Sequence, residues 1–163
     1  MSIRTADIHR AIAFYERLGF EVCERFTAGI TLACWMEGLG GRIELIQVPQ
    51  PRSAPDAFSD EHYTGYYHLS FDLTDITENL SDWLDNLSQS FAEDVAIHVA
   101  ETSANHGAEN SADNAANNGS RQSLKILLKP TQQMIGDRVY EVAFIADADG
   151  LPLELIRLLG KRS

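Results

Sequence analysis

Positive charge is the first thing this chain has little of. Thirteen Lys and Arg stand against 24 Asp and Glu, a formal net charge of −11. Binding to nucleic acid is largely the neutralisation of phosphates by clustered cations, so few and scattered basic residues exclude that class, and an anionic membrane surface with it. No apolar run reaches the roughly 18 residues that a membrane-spanning helix requires. The N-terminus also lacks the basic and then apolar pattern of a secretory signal. The expectation is a cytoplasmic protein that binds neither nucleic acid nor membrane. Cysteine is nearly absent as well: Cys23 and Cys34 lie in apolar, strand-like runs and read as reduced thiols packed as small hydrophobes. Proline is scarce, and Pro49, Pro51 and Pro55 fall together, which marks a connector that neither a helix nor a central strand can occupy.

What is present is an ordinary globular composition, 44% apolar and 23% charged over 163 residues, enough for one domain or two half-domains around a shared core. The informative stretch is Leu151 to Ile156, a β-like run with Glu154 in its middle. Burying that carboxylate is costly unless it meets a cation, a proton or water. A near copy, Arg42 to Gln47, holds Glu44, and each run follows a glycine, Gly41 or Gly150. The recurrence points to an internal duplication with one carboxylate per half.

The pattern along the chain agrees. Ser2 to Thr5 reads as the end of a strand. Asp7 caps a helix whose apolar set is Ile8, Ala11, Ile12, Tyr15 and Leu18, and Gly19 ends it. Glu21 to Thr27 and Ile30 to Glu37 form two strands about an Ala28–Gly29 turn, and the Glu44 strand follows. In the second half, Tyr66 to Leu73 is a strand carrying His68. Asp75 is expected to cap a helix from Ile76 to about Ser88, with Ile76, Leu80, Trp83, Leu84 and Leu87 buried. Val95 to Val99 could be a strand. Ala100 to Gln122, rich in Asn, Ala, Ser and Gly, reads as a solvated loop. Leu124 to Leu128 and Val139 to Ala146 are strands, with Gly136 and Asp137 turning after the segment Thr131 to Gly136, and then comes the Glu154 strand. The chain is thus read as a single domain, 1–163, with unit one at 1–50, a connector at 51–64 and unit two at 65–160, including the polar loop 100–122.

Overlaying the helix starts gives an offset of 68 residues and overlaying the glutamate strands gives 110. His68 has its counterpart at position zero, so the written chain starts just after the first of four equivalent places. Either a start lies further upstream or coordination is incomplete. Glu44, His68 and Glu154 are the candidate metal ligands. A His with carboxylates suits Zn²⁺, Ni²⁺, Fe²⁺, Mn²⁺ or Co²⁺. His9, His62, His98 and His106 read as surface or loop residues, with His62 the best stand-in for a missing ligand.

Asp7-Ile8 through Ala13-Phe14-Tyr15, Leu18-Gly19-Phe20, Ile43-Glu44-Leu45, His68 to Asp72, and Val142 to Ile156 resemble, in order and spacing, the glyoxalase, bleomycin-resistance and extradiol-dioxygenase (vicinal oxygen chelate) superfamily. The resemblance covers nearly the whole chain except the polar loop and the proline connector. It implies an α+β fold of two βαβββ units whose curled sheets surround a cavity, usually completed by homodimerisation. It also implies a divalent metal, Zn²⁺ or Ni²⁺ foremost, held by Glu44, His68 and Glu154. A carboxylate at Glu44 leans toward the lactoylglutathione lyases and away from the dioxygenases. In such a lyase Glu154 is the proton-transferring base, Arg4 meets a glutathione carboxylate, and glutathione serves as co-substrate. The segment Thr131 to Gly136 departs from the family's substrate loop. The alternatives are another enzyme of the superfamily, such as a dioxygenase, and a bleomycin-resistance-like protein that binds a small molecule without turnover.

Overall fold

Alternating burial along the strands places one face of each of two sheets on the helices and leaves the other face to carry function. The computed structural model describes residues 1–53, 56–104 and 123–161. Unit one contains β1 (Ser2–Thr5), α1 (Ile8–Arg17), β2 (Glu21–Ala28), β3 (Thr31–Gly38) and β4 (Gly41–Gln47). Unit two contains β5 (Leu69–Asp72), α2 (Leu80–Ala104), β6 (Lys125–Ile135), β7 (Arg138–Ala146) and β8 (Pro152–Lys161). The sheets have the same order, β1-β4-β3-β2 and β5-β8-β7-β6, with the first pair parallel and the others antiparallel. The duplication read from the sequence is therefore a duplication of topology.

The first helix forms as expected. Asp7 is extended and accepts from the backbone N–H of His9 and Arg10, and the apolar stripe buries Ile8, Ala11, Ile12 and Tyr15 together with Phe14. Gly19, at φ 93°, reverses the chain into β2. Gly38 is needed for a different reason. A Cβ there would lie 2.6 Å from the Gly19 carbonyl oxygen and 2.7 Å from Phe20 Cα, both rigid backbone.

One apolar cluster joins the two units. It takes Ile3, Ile43 and Leu45 from the first sheet, Phe71, Leu153 and Leu155 from the second, and Phe14, Tyr15, Leu80, Leu84 and Phe91 from the helices. Phe14 meets Phe91 at 5.5 Å and Phe20 meets Phe71 at 5.6 Å between ring centroids, so aromatic contacts cross between the units. A polar tie crosses too: the Tyr15 hydroxyl donates to Asp147 Oδ2 at 3.0 Å, while the backbone N–H groups of Asp149 and Leu151 donate to Asp147 Oδ1. Burial raises the Asp147 carboxyl above its ordinary value, against the lowering effect of those backbone and tyrosine donors. Burial, with the neighbouring Asp147, also raises the Tyr15 hydroxyl well above 10.0.

Several expectations are corrected. Asp75 does not cap the second helix and Ile76 is 48% exposed. The chain turns first, with the Asp72 carboxylate accepting from Thr74 and the N–H groups of Ile76 and Thr77 returning to the Leu73 carbonyl. Asn79 is the cap, accepting from Ser81 and Asp82. The segment 95–99 continues α2 instead of forming a strand, since no Gly or Pro interrupts residues 80 to 104. The strand expected over Tyr66 to Leu73 pairs only through Leu69–Asp72, leaving His68 just ahead of it. The segment Thr131 to Gly136 is not a loop: β6 runs on to Ile135 and turns at Gly136. Register shifts on either side of Leu128 absorb Pro130 in this edge strand. Cys34 is buried and Cys23 is exposed in the irregularity between Val22 and Glu24, and both are free. The expected polar loop lies outside the described residues from 105 to 122, as do His106 and Pro55 and the side chain of His98.

Candidate functional site

Glu44 and Glu154 both lie on the faces turned from the helices. In β4 the flanking Ile43 and Leu45 point into the core, and in β8 Leu153 and Leu155 do. The parallel pairing then sets a serine against each carboxylate: Ser2 opposite Glu44 and Ser70 opposite Glu154. Both hydroxyls donate to the Oε2 of their glutamate. These two Ser–Glu pairs are the same structural unit twice, at the offsets 68 and 110 that the sequence carries.

Their surroundings differ. Glu44 Oε1 accepts from Trp35 Nε1 at 3.3 Å, and Trp35 packs edge-on against Phe26 at 5.1 Å with the Arg42 guanidinium 5.3 Å from its ring. Arg42 is also paired with Glu37. This half-site is open, with Trp35 38% exposed. In unit two His68 Nε2 stands 3.3 Å from Glu154 Oε2, and the two side chains are 27% and 17% exposed. His68 packs against Phe144 at 5.2 Å and Tyr67 at 4.8 Å. Phe58 of the connector covers Phe144 at 5.3 Å, so the second half-site is roofed by a segment that the first has no copy of.

The donor chemistry of His68 and Glu154 fits two corners of a divalent cation's shell. Ligand bonds of about 2.0–2.1 Å in a tetrahedron separate neighbouring donors by about 3.3 Å, the distance found between Nε2 and Oε2. Two donors do not hold such an ion. Among the described residues no three His, Cys, Asp or Glu side chains come close enough to do so, and Glu44 is engaged with Ser2 and Trp35 instead. His68 Nδ1 is buried and has no hydrogen-bond partner among them. One chain therefore presents two halves of a candidate centre.

Arg4 extends from the same face of β1 as Ser2, two residues along, at the wall of a cavity of about 500 Å³ that Arg52 also lines. Trp35 reads from the sequence as a sheet residue and secondarily a pocket wall, whereas Ser2, Ser70, Phe58, Phe144 and Arg52 are not singled out there as site residues. For the serines a signal existed, since they differ by the same 68 positions as the helix starts then compared.

A family model described as the Glyoxalase/Bleomycin resistance protein/Dioxygenase superfamily matches residues 1–106. The fold is similar to that of a glyoxalase family protein from Bacillus cereus, with a TM-score of 0.60 at 18% identity over 98% of this chain and 92% of that one. A glyoxalase family protein from Enterococcus faecalis gives 0.57 at 18% identity, over 96% and 94%. A glyoxalase I mutant from Zea mays gives 0.56 at 17% identity, over 96% of this chain and 42% of that one. No curated protein sequence matches the chain. Among the described residues no helix is long and apolar enough to cross a membrane.

Proposed function

This chain belongs to the glyoxalase, bleomycin-resistance and dioxygenase superfamily, and from that premise we propose that it is a lyase of the lactoylglutathione lyase type, acting on the thiohemiacetal of a 2-oxoaldehyde and glutathione. The observation that carries the reading is the contact of His68 Nε2 with Glu154 Oε2 beside a Ser–Glu pair that unit one repeats. Glu44 of one copy, with His68 and Glu154 of another, would hold the divalent cation, Zn²⁺ or Ni²⁺, in a homodimer. What supports the dimer is the open aromatic face of sheet one around Phe26 and Trp35, together with the division of the donors. The cation, when bound, supplies Lewis acidity to two adjacent substrate oxygens.

The residues of the chain do the rest. Glu154 takes the proton from one substrate carbon and returns it to the next. The Ser70 hydroxyl holds one carboxylate oxygen in place through that transfer. Phe144, Phe58 and Tyr67 exclude water on the His68 side. Arg4 meets an anionic end of the thiol. The test is formation of lactoylglutathione from methylglyoxal and glutathione by protein reconstituted with Ni²⁺ or Zn²⁺. Turnover that disappears on removal of the metal is the expected result, and metal binding without product would point to another substrate.

The exposed Trp35 ring, packed edge-on against half-buried Phe26, favours a second reading, sequestration of an aromatic small molecule without turnover. A protein that takes up no metal yet binds aromatic drugs would select it.

A further inference from the structure

The register that sets a serine beside each glutamate also sets an aromatic ring across from it. Trp35 on β3 lies opposite Glu44, and Phe144 on β7 lies opposite Glu154. The two rings are counterparts in the duplicated topology, yet Trp35 is 38% exposed and Phe144 only 7%. The difference comes from the connector, which lays Phe58 on Phe144 at 5.3 Å and on Tyr67 at 6.3 Å and buries the adjoining Ala57.

The covering segment is bonded to itself. Asp56 accepts from the N–H groups of Ser59 and Asp60, and Asp60 accepts from those of His62 and Tyr63. Every hydrogen bond that residues 56–65 make among the described residues closes within that stretch. Its hold on sheet two is therefore apolar contact alone, without the directional bonds that fix a wall in place. Phe58 is half-buried, unlike the core rings Phe14 and Phe91, so that contact is the smaller one. Gly65, at φ 146°, ends the segment in a conformation open to glycine, and rotation there moves the turn without loss of a hydrogen bond to either sheet. Phe58 is thus held by what any flat apolar group offers, in a place whose twin is open.

We infer, on the reading of His68 and Glu154 as the ligand-binding place, that Phe58 is an autoinhibitory plug. In the free chain it occupies the apolar place against Phe144 and Tyr67, beside His68, that an aromatic group of a ligand takes, and the turn 56–63 swings away when that ligand binds. The plug competes from within the chain, at high effective concentration. The apparent affinity for an outside aromatic is then the intrinsic one multiplied by the fraction of time the turn is away. Once displaced, Phe58 leaves the exclusion of water to the ligand's own ring.

Equilibrium dialysis of the metal-free full chain against 1-naphthol and indole, both uncharged and aromatic, tests this, because a plug and a wall predict opposite signs. Phe58→Ala tightens the binding of at least one probe about tenfold or more, as expected for a place open about a tenth of the time or less. Phe58→Leu, which still fills the place, gives a smaller gain. The probe bound to the Phe58→Ala protein shows nuclear Overhauser contacts to the His68 and Tyr67 rings. Leu87→Ala, a core truncation on the helix side of the sheets, leaves the affinity unchanged. An unchanged or weakened affinity in Phe58→Ala overturns the inference, since it makes Phe58 an ordinary wall. A tightening that Leu87→Ala reproduces, a bound probe without contacts to those rings, and the absence of saturable binding by the Phe58→Ala protein overturn it equally. No metal, thiol or aldehyde is present, so a failed lyase assay leaves this result standing, and failure here leaves the lyase reading intact.

Discussion

Glu44 and Glu154 stand in the same register of two sheets with the same strand order, each against a serine of the neighbouring parallel strand. One faces Trp35 on an open surface and the other faces His68 under Phe144, Phe58 and Tyr67. The backbone is duplicated and the chemistry is divided. A parallel pair flanked by core residues places two outward side chains side by side, and any helix-and-sheet repeat supplies that much. The third neighbour decides whether the place can carry a proton or an ion. In unit two it is an imidazole, and in unit one it is an indole N–H.

That difference can be broken most severely by Glu154→Gln, which removes the base while keeping the Ser70 contact. Turnover of methylglyoxal and glutathione should fall about 10²–10⁴-fold. His68→Ala should lower metal affinity at least about tenfold in equilibrium dialysis, with the fold kept, because it removes one of the two donors that stand together in unit two. If Ala at position 68 leaves metal binding unchanged, the asymmetry drawn between the halves is false.

The shared core predicts the opposite, equality. Leu45 and Leu155 are fully buried at corresponding places, and Leu45→Ala and Leu155→Ala should each cost about 2–5 kcal/mol in denaturant unfolding. Both variants should keep a single transition, and two transitions would show that the units fold apart. Tyr15→Phe, which cuts the polar tie between them, should cost about 1–3 kcal/mol, since Asp147 Oδ2 then loses its donor. A smaller effect follows from Asp147 itself. Its folded-state carboxyl is raised above the ordinary 3.8 by burial, so the fold favours the protonated form. That contribution is fully present below the ordinary value and is lost as pH rises through the raised one. Asp147→Asn keeps an acceptor for the Asp149 and Leu151 amides and should abolish that slope in melts recorded across the acid range.

Much of this was legible in the sequence because one face of α1, β4 and β8 is largely apolar. The spacing of Ile8, Ala11, Ile12 and Tyr15, and the alternation about Glu44 and Glu154, report burial directly. The start of α2 was not legible, because Asp72, Asp75 and Asn79 all precede apolar residues and only the turn built on Asp72 and Leu73 decides among them. The extent of β6 was hidden by Pro130, which an edge strand with a bulge tolerates and a central strand would not. The residue types of the candidate site could be read from the repeat. Its division between two sheets depends on how the units pack around Phe14, Phe20, Phe71 and Phe91, which no local pattern encodes.

The central claim is that the two half-sites are completed between copies of the chain, and subunit exchange tests it most directly. Glu44→Gln and Glu154→Gln proteins, each inactive alone, are mixed, and heterodimer formation is followed by native mass spectrometry. Random exchange makes half of the dimers mixed, each with one intact site, so activity should return to about a quarter of the wild-type level. Mixed dimers that form and remain inactive would contradict the account.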